Sequence, residues 1–300
     1  MAVEPLDQIE TLGGVQIEHH RVNVNDVALH VITAGPDDGE PVVLLHGFPE
    51  FWYGWRKQIP ALATAGYRVI VPDQRGFNLS DKPAGITNYA MSAATSDVTG
   101  ILDHFGHAQT NVVGHDFGAA VAWSLGLVQP DRVHRLAILN VPHPIVFVRT
   151  LRSSVKQMVR SWYMFFFQLP RLPEALLSAR SFSAMETQLH GSARPGTFTE
   201  QDMAQYRRAW GQPGALTSMI NWYRATIRSG VPALDSVRLT MPVLVIWGAM
   251  DRFLVAEMAR QSVELCDDGR LVLIDDATHW VQHEEPERVN SLLLEFLAKE

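Results

Sequence analysis

Cysteine is almost missing from this chain. Among 300 residues only Cys266 carries a thiol, so no intrachain disulfide can form, and its Cys-Asp-Asp setting lacks the companions a metal or thiol-redox site needs. Cys266 reads as a lone, unreactive thiol. A long hydrophobic run is missing too: the densest apolar stretch, Trp162 to Phe167, is far shorter than the roughly 18 residues a membrane span requires. Clustered Lys and Arg are scarce, and a formal net charge of −7 argues against nucleic acid or an anionic membrane surface as partner, because phosphate is held by grouped cations. The N-terminus, MAVEPLDQIE, has acidic residues and no positive flank before an apolar block. It does not read as a secretory leader, and a cytoplasmic location is expected. No internal repeat or low-complexity segment is found.

What is present is an alternation of strands and helices. Val42–Leu45, Arg68–Val71, Asn111–Val113, Arg135–Leu139, Val243–Trp247 and Leu271–Ile274 are short apolar runs bounded by turn residues. Helical stretches separate them, the pattern of a parallel sheet covered on both faces. Upstream, Arg21–Val24 and Ala28–Thr33 flank an Asn25-Asp26 step, which predicts an antiparallel hairpin on the sheet edge. From about Pro144 to Val237 no strand-like run occurs, and the residues are helical in period and rich in Arg, Met and aromatics. The chain therefore divides into a first α/β part, 1–143, a helical insertion, 144–237, and a second α/β part, 238–300, ending in an amphipathic helix over Pro286 to Lys299.

The segment Asn111-Val112-Val113-Gly114-His115-Asp116-Phe117-Gly118-Ala119-Ala120 runs from a strand into a helix through Gly-x-Asp-x-Gly. Flanking glycines allow a strained turn that lifts the central side chain above the sheet. An Asp there is already anionic at neutral pH and needs no base before it attacks. Attack on an acyl carbon would give a mixed anhydride that collapses backwards. Displacement at saturated carbon gives a stable alkyl ester that water can later hydrolyse, so Asp116 selects epoxides or alkyl halides over carboxylic esters.

Partners follow in the chain order nucleophile, acid, histidine. Asp251 closes the loop after Val243–Trp247 and His279 the loop after Leu271–Ile274, both at carboxyl ends of parallel strands. Asp251 would orient His279 and stabilise its cation, and His279 would draw a proton from water. His283 is the rival histidine and reads as structural. Asp275 and Asp276 rival Asp251 for the acid role but lie on the histidine's own loop. His46, Gly47 and Pro49 form a turn motif after an early strand, where the backbone N–H of Phe48, with that of Phe117, would face a developing oxyanion.

Together these residues resemble the soluble epoxide hydrolases of the α/β-hydrolase superfamily, in the form with a core and a helical cap. The resemblance rests on His46 to Arg56, on Asp73-Gln74-Arg75-Gly76-Phe77-Asn78-Leu79-Ser80-Asp81-Lys82-Pro83, on the turn around Asp116 and on the two later loops, and it spans nearly the whole chain. It implies that two cap tyrosines hold the epoxide oxygen, Tyr223 in Asn-Trp-Tyr-Arg and Tyr163 in Trp-Tyr-Met-Phe-Phe-Phe-Gln-Leu-Pro. The scheme so implied is cofactor-free and metal-free. Asp116 opens the ring of a small apolar epoxide, and water activated by His279 releases a diol.

Trp52, Phe166 and Trp222 are expected to line an apolar substrate pocket. The related dehalogenases use the same Asp and are the first alternative. Haloalkane dehalogenases place Trp after the nucleophile to hold the halide, and fluoroacetate dehalogenases place Arg there to hold a carboxylate; Phe117 can do neither. A non-catalytic binding protein on the same fold is the remote alternative. The oligomeric state, a homo-oligomer included, is left open.

Overall fold

The computed structural model describes residues 9–229 and 237–298. Residues 230–236 of the expected insertion, and Lys299 of the expected last helix, lie outside the described residues. Nine strands form one sheet in the order β1-β2-β3-β5-β4-β6-β7-β8-β9. They are β1 (Ile9–Leu12), β2 (Val15–Val24), β3 (Val27–Ala34), β4 (Pro41–Leu45), β5 (Arg68–Pro72), β6 (Thr110–His115), β7 (Val133–Leu139), β8 (Leu239–Gly248) and β9 (Cys266–Ile274). From β5 to β9 all neighbours are parallel, and β1, β2 and β3 add an antiparallel edge. The six expected strands and the hairpin all appear. At the hairpin tip Asn25 and Asp26 both take positive φ, 48° and 61°, as a two-residue turn matched to strand twist requires. β1 was not expected; it is a four-residue edge strand turned through Gly13-Gly14.

The central strands β4 to β7 are almost wholly buried, which is why they read as continuous apolar runs with no alternation. Helices α1 (Ile59–Thr64), α2 (Met91–His104) and α3 (Phe117–Val128) cover the first half. Trp55, Trp123 and Trp247 are among the largest fully buried side chains.

Strands β7 and β8 pair side by side, Leu136 with Val243 and Leu139 with Ile246, yet the chain between them leaves the sheet. It forms α4 (Pro144–Ser153), α5 (Val155–Arg160), α6 (Trp162–Phe166), α7 (Leu172–Ser192), α8 (Glu200–Trp210) and α9 (Ala215–Ser229), with no strand among the described residues. Residues 179–182 break the helical dihedrals of α7. After β8 come α10 (Glu257–Val263), then β9, α11 (Val281–Glu284) and α12 (Pro286–Leu297).

Candidate active site

Asp116 caps the first turn of α3 with φ 51° and ψ −125°, a conformation that L residues avoid and that costs of order 1–3 kcal/mol. Glycines make the corner sterically feasible. A Cβ on Gly118 would lie 2.0 Å from the Leu45 carbonyl oxygen, and one on Gly47 would lie 2.2 Å from Asp116 Oδ1. The result is a carboxylate presented to a cavity of about 450 Å³ under the helical insertion.

Asp116 Oδ1 accepts a 2.7 Å hydrogen bond from the Phe48 backbone N–H. The Phe117 amide borders the same spot, since a Cβ on Gly47 would fall 2.6 Å from its nitrogen. Asp116 Oδ2 lies 3.5 Å from His279 Nε2, and His279 Nδ1 lies 2.8 Å from Asp251 Oδ2. The sheet thus brings Asp116, His279 and Asp251 together from three strand ends. Burial opposes charge on the imidazole, but Asp251, a hydrogen bond donated to Asp116 and the Asp116 charge raise its pKa to about 10. Asp116 moves the other way. Burial would raise its pKa, but the hydrogen bond and charge of His279 hold it below the usual carboxylate value.

The Asp251 carboxylate accepts four hydrogen bonds. Asp251 Oδ2 also accepts from Asn140 Nδ2 at 2.8 Å, and Oδ1 accepts from the backbone N–H groups of Phe253 and Leu254 at 2.7 and 3.0 Å. The insertion holds the same loop: Gln157 is fully buried, donates to the Phe253 carbonyl at 2.9 Å and accepts from the Val255 N–H at 3.0 Å. Arg160 donates to the Asp251 carbonyl at 2.8 Å.

Tyr163 and Tyr223 face each other edge to face with ring centroids 5.7 Å apart, and both line the cavity with Asp116. Tyr223 packs on Phe117 and Phe48, Tyr163 on Phe253. No described group accepts from or donates to either hydroxyl. Burial, strengthened by the Asp116 charge, pushes both phenols above their usual pKa, so both stay protonated donors at neutral pH.

The expected pocket needs correction. Phe166 lines the cavity, but Trp52 and Trp222 do not. Trp222 turns its indole N–H to the Arg75 carbonyl at 3.0 Å and packs on Phe77. Successive helical residues point about 100° apart, and with Tyr223 turned into the cavity its neighbour Trp222 lies on the side that packs against the core. Trp52 is packed against His19 and Phe51 in the core, its backbone N–H donating to Asp73. The walls come instead from residues with no local motif, among them Met185, Gln188, Leu189, Phe253 and Trp280. Pro49 lines the cavity, whereas His46 is buried beneath it, accepting from the Gln74 N–H at 3.0 Å.

His283 does not reach the cavity; it bonds Glu50 at 2.7 Å. Glu50 also takes the Tyr206 hydroxyl at 2.7 Å. His115, 3.2 Å from Glu50, contacts the His279 carbonyl at 2.9 Å. Sequence reasoning missed this polar layer beneath His279. Its signal was there: a His and a Glu inside otherwise buried turn motifs.

Comparison with known proteins agrees with this architecture. Residues 40–286 match the model of a family described as alpha/beta hydrolase fold. An AB hydrolase superfamily protein of Bacillus subtilis is 46% identical over 93% of this chain and 97% of its own length. Epoxide hydrolase 4 of Mus musculus is 37% identical over 94% of this chain and 80% of that protein. The crystal structure of a Bacillus megaterium epoxide hydrolase with an inhibitor superposes with a TM-score of 0.87 at 31% identity, covering 93% of this chain and all of that one. With the sheet, the elbow and these relatives in agreement, the chain belongs to the α/β-hydrolase fold family, within its epoxide hydrolase branch.

Proposed function

We propose that this chain hydrolyses apolar epoxides to vicinal diols through an ester on Asp116, with residues 144–237 acting as a cap. The observation that carries this reading is the pair of unpartnered phenol hydroxyls sharing a cavity with a carboxylate held at positive φ. Asp116 attacks a ring carbon and the C–O bond breaks. Tyr163 and Tyr223 donate to the departing oxygen, and one of them gives up its proton to make the hydroxyl of a hydroxyalkyl ester.

Ester formation removes the negative charge of Asp116, which is one of the causes holding the His279 pKa high. The imidazolium proton then replaces the one lost by tyrosine and leaves a neutral base. His279 takes a proton from water, and hydroxide attacks the Asp116 carboxyl carbon. Phe48 and Phe117 N–H groups stabilise the oxyanion; as it collapses the bond from the carboxyl carbon to the substrate oxygen breaks, that oxygen takes the proton of the added hydroxyl, and the diol leaves as Asp116 returns to its carboxylate. The proton on His279 is the one passed to the tyrosine in the next turnover. No metal or organic cofactor enters the scheme.

Dehalogenation through the same carboxylate finds less support. The Phe117 side chain offers no N–H or cation to a halide or carboxylate, and the indole N–H of Trp280 is taken by Ser192 at 2.9 Å. The test is His279→Gln, which lacks the base. After incubation with styrene oxide, the peptide containing Asp116 is expected to gain the mass of one substrate molecule. An unmodified peptide, from a protein whose wild type turns the epoxide over, would rule the scheme out.

A further inference from the structure

Helices α5 and α6 are amphipathic in an inverted sense. Gln157, Ser161 and Met164 point inward and are buried, while Val155, Met158, Val159, Trp162, Phe165 and Leu169 are exposed. These apolar positions lie on the solvent side of two short consecutive helices and of the turn that follows them. Leu172 and Leu176 at the start of α7 extend the exposed set, so residues 155–176 hold eight of the fourteen exposed large hydrophobics of the described residues. Val155 is 73%, Val159 66% and Trp162 63% exposed. An apolar concentration of this kind marks an interaction surface rather than scatter.

Charge is segregated onto the same stretch. Residues 149–180 contain Arg149, Arg152, Lys156, Arg160, Arg171 and Arg180, against a single acid, Glu174. Glu174 is itself spent on Arg224 at 2.7 Å. The rest of the chain carries the acidic excess, so the net charge of −7 conceals a cationic face. The net charge, which by itself argues against an anionic membrane surface, does not report this separation. Val159 and Trp162 are both strongly exposed on this face and part of the cavity lining, so the cavity opens at it.

We propose that this face of the cap docks on an anionic lipid bilayer, seating Val155, Trp162 and Phe165 at the boundary between headgroups and acyl chains. Exposed apolar residues with flanking cations are the features that hold a helix in that plane. A second copy of the chain fits less well, because it would oppose two cationic faces and would close both cavity mouths. On a bilayer the mouth opens toward the phase in which apolar substrates dissolve. The docking stands on its own geometry; only this delivery rests on the epoxide reading.

The test is co-sedimentation of the full chain with vesicles of phosphatidylcholine alone and of phosphatidylcholine mixed with phosphatidylglycerol. Binding to the mixed vesicles, weakened by salt, is expected. The triple variant Arg152→Glu, Lys156→Glu, Arg171→Glu should bind about a hundredfold more weakly or less. Val155→Ser with Phe165→Ser should also release it. None of these five residues lines the cavity, so turnover of a water-soluble epoxide should stay at the wild-type level in both variants and report that they fold. Absence of binding to the mixed vesicles, or equal binding by the charge-reversed variant, would overturn the proposal. So would a stable dimer that the two serine substitutions dissolve, which would assign the face to a second copy.

Discussion

His279 links both halves of the proposed reaction through its proton. With a folded-state pKa near 10 against a usual 6.5, the charged imidazole adds stability that is complete below about pH 6.5 and is lost as pH rises through 10. Denaturant unfolding of wild type and His279→Gln across that range should show their stability gap shrinking as pH rises. A gap independent of pH would refute the charged pair. Asp116→Asn removes two of the causes that raise the pKa, so the His279 ring resonances should titrate at a lower pH by NMR. For the phenols, Tyr163→Phe and Tyr223→Phe should each slow ester formation by about tenfold to a hundredfold, and the double variant by about a thousandfold or more. Rapid-quench measurement of ester formation separates these from effects on hydrolysis. Much of the arrangement of this site was readable in sequence, because Asp116, Asp251 and His279 stand at three strand ends that carry local turn motifs. Tyr163 and Tyr223 needed the family resemblance, since a helix offers no local mark for a residue that faces a cavity.

At the level of elements, the loop after β8 is held from outside the sheet. Gln157 on α5 satisfies the Phe253 carbonyl and the Val255 N–H, while Phe253 packs edge-on against both His279 and Tyr163. Gln157→Ala would leave buried backbone groups unpaired, at roughly 1–3 kcal/mol each, so thermal unfolding should begin several degrees lower. Because the loop carries Asp251, the variant should also accumulate ester, with kcat down about tenfold and KM little changed. Loss of stability without ester accumulation would reduce Gln157 to a packing role. The strands were legible because burial on both faces leaves a continuous apolar run. β1 was not, because four residues with one side at the sheet edge leave too short a pattern. Trp52 and Trp222 misled for a related reason: composition identifies an aromatic side chain, whereas the direction it points depends on its position around a helix or turn.

Across the whole molecule, the two halves of the site have different origins. Asp116, Asp251 and His279 come from the strand ends of the sheet, and the apolar walls come largely from the insertion, whose inner faces no sequence motif announces. Ala184 lines the cavity from α7, and Ala184→Phe should shrink it from one side. Its kcat/KM for a naphthyl-bearing epoxide should fall about tenfold or more, with a much smaller change for a three-carbon epoxide. Equal loss on both substrates would mean that the wall does not select by size.

Strands β7 and β8 stay adjacent although some hundred residues intervene between them in the chain. The insertion thus departs from and returns to a single doorway in an otherwise closed framework. A foreign roof grafted between those two strands would leave strand register, elbow and histidine loop where they are. Selectivity can therefore drift by exchange of one cassette, provided that it keeps Tyr163, Tyr223 and Gln157, while Asp116, Asp251 and His279 are inherited unchanged.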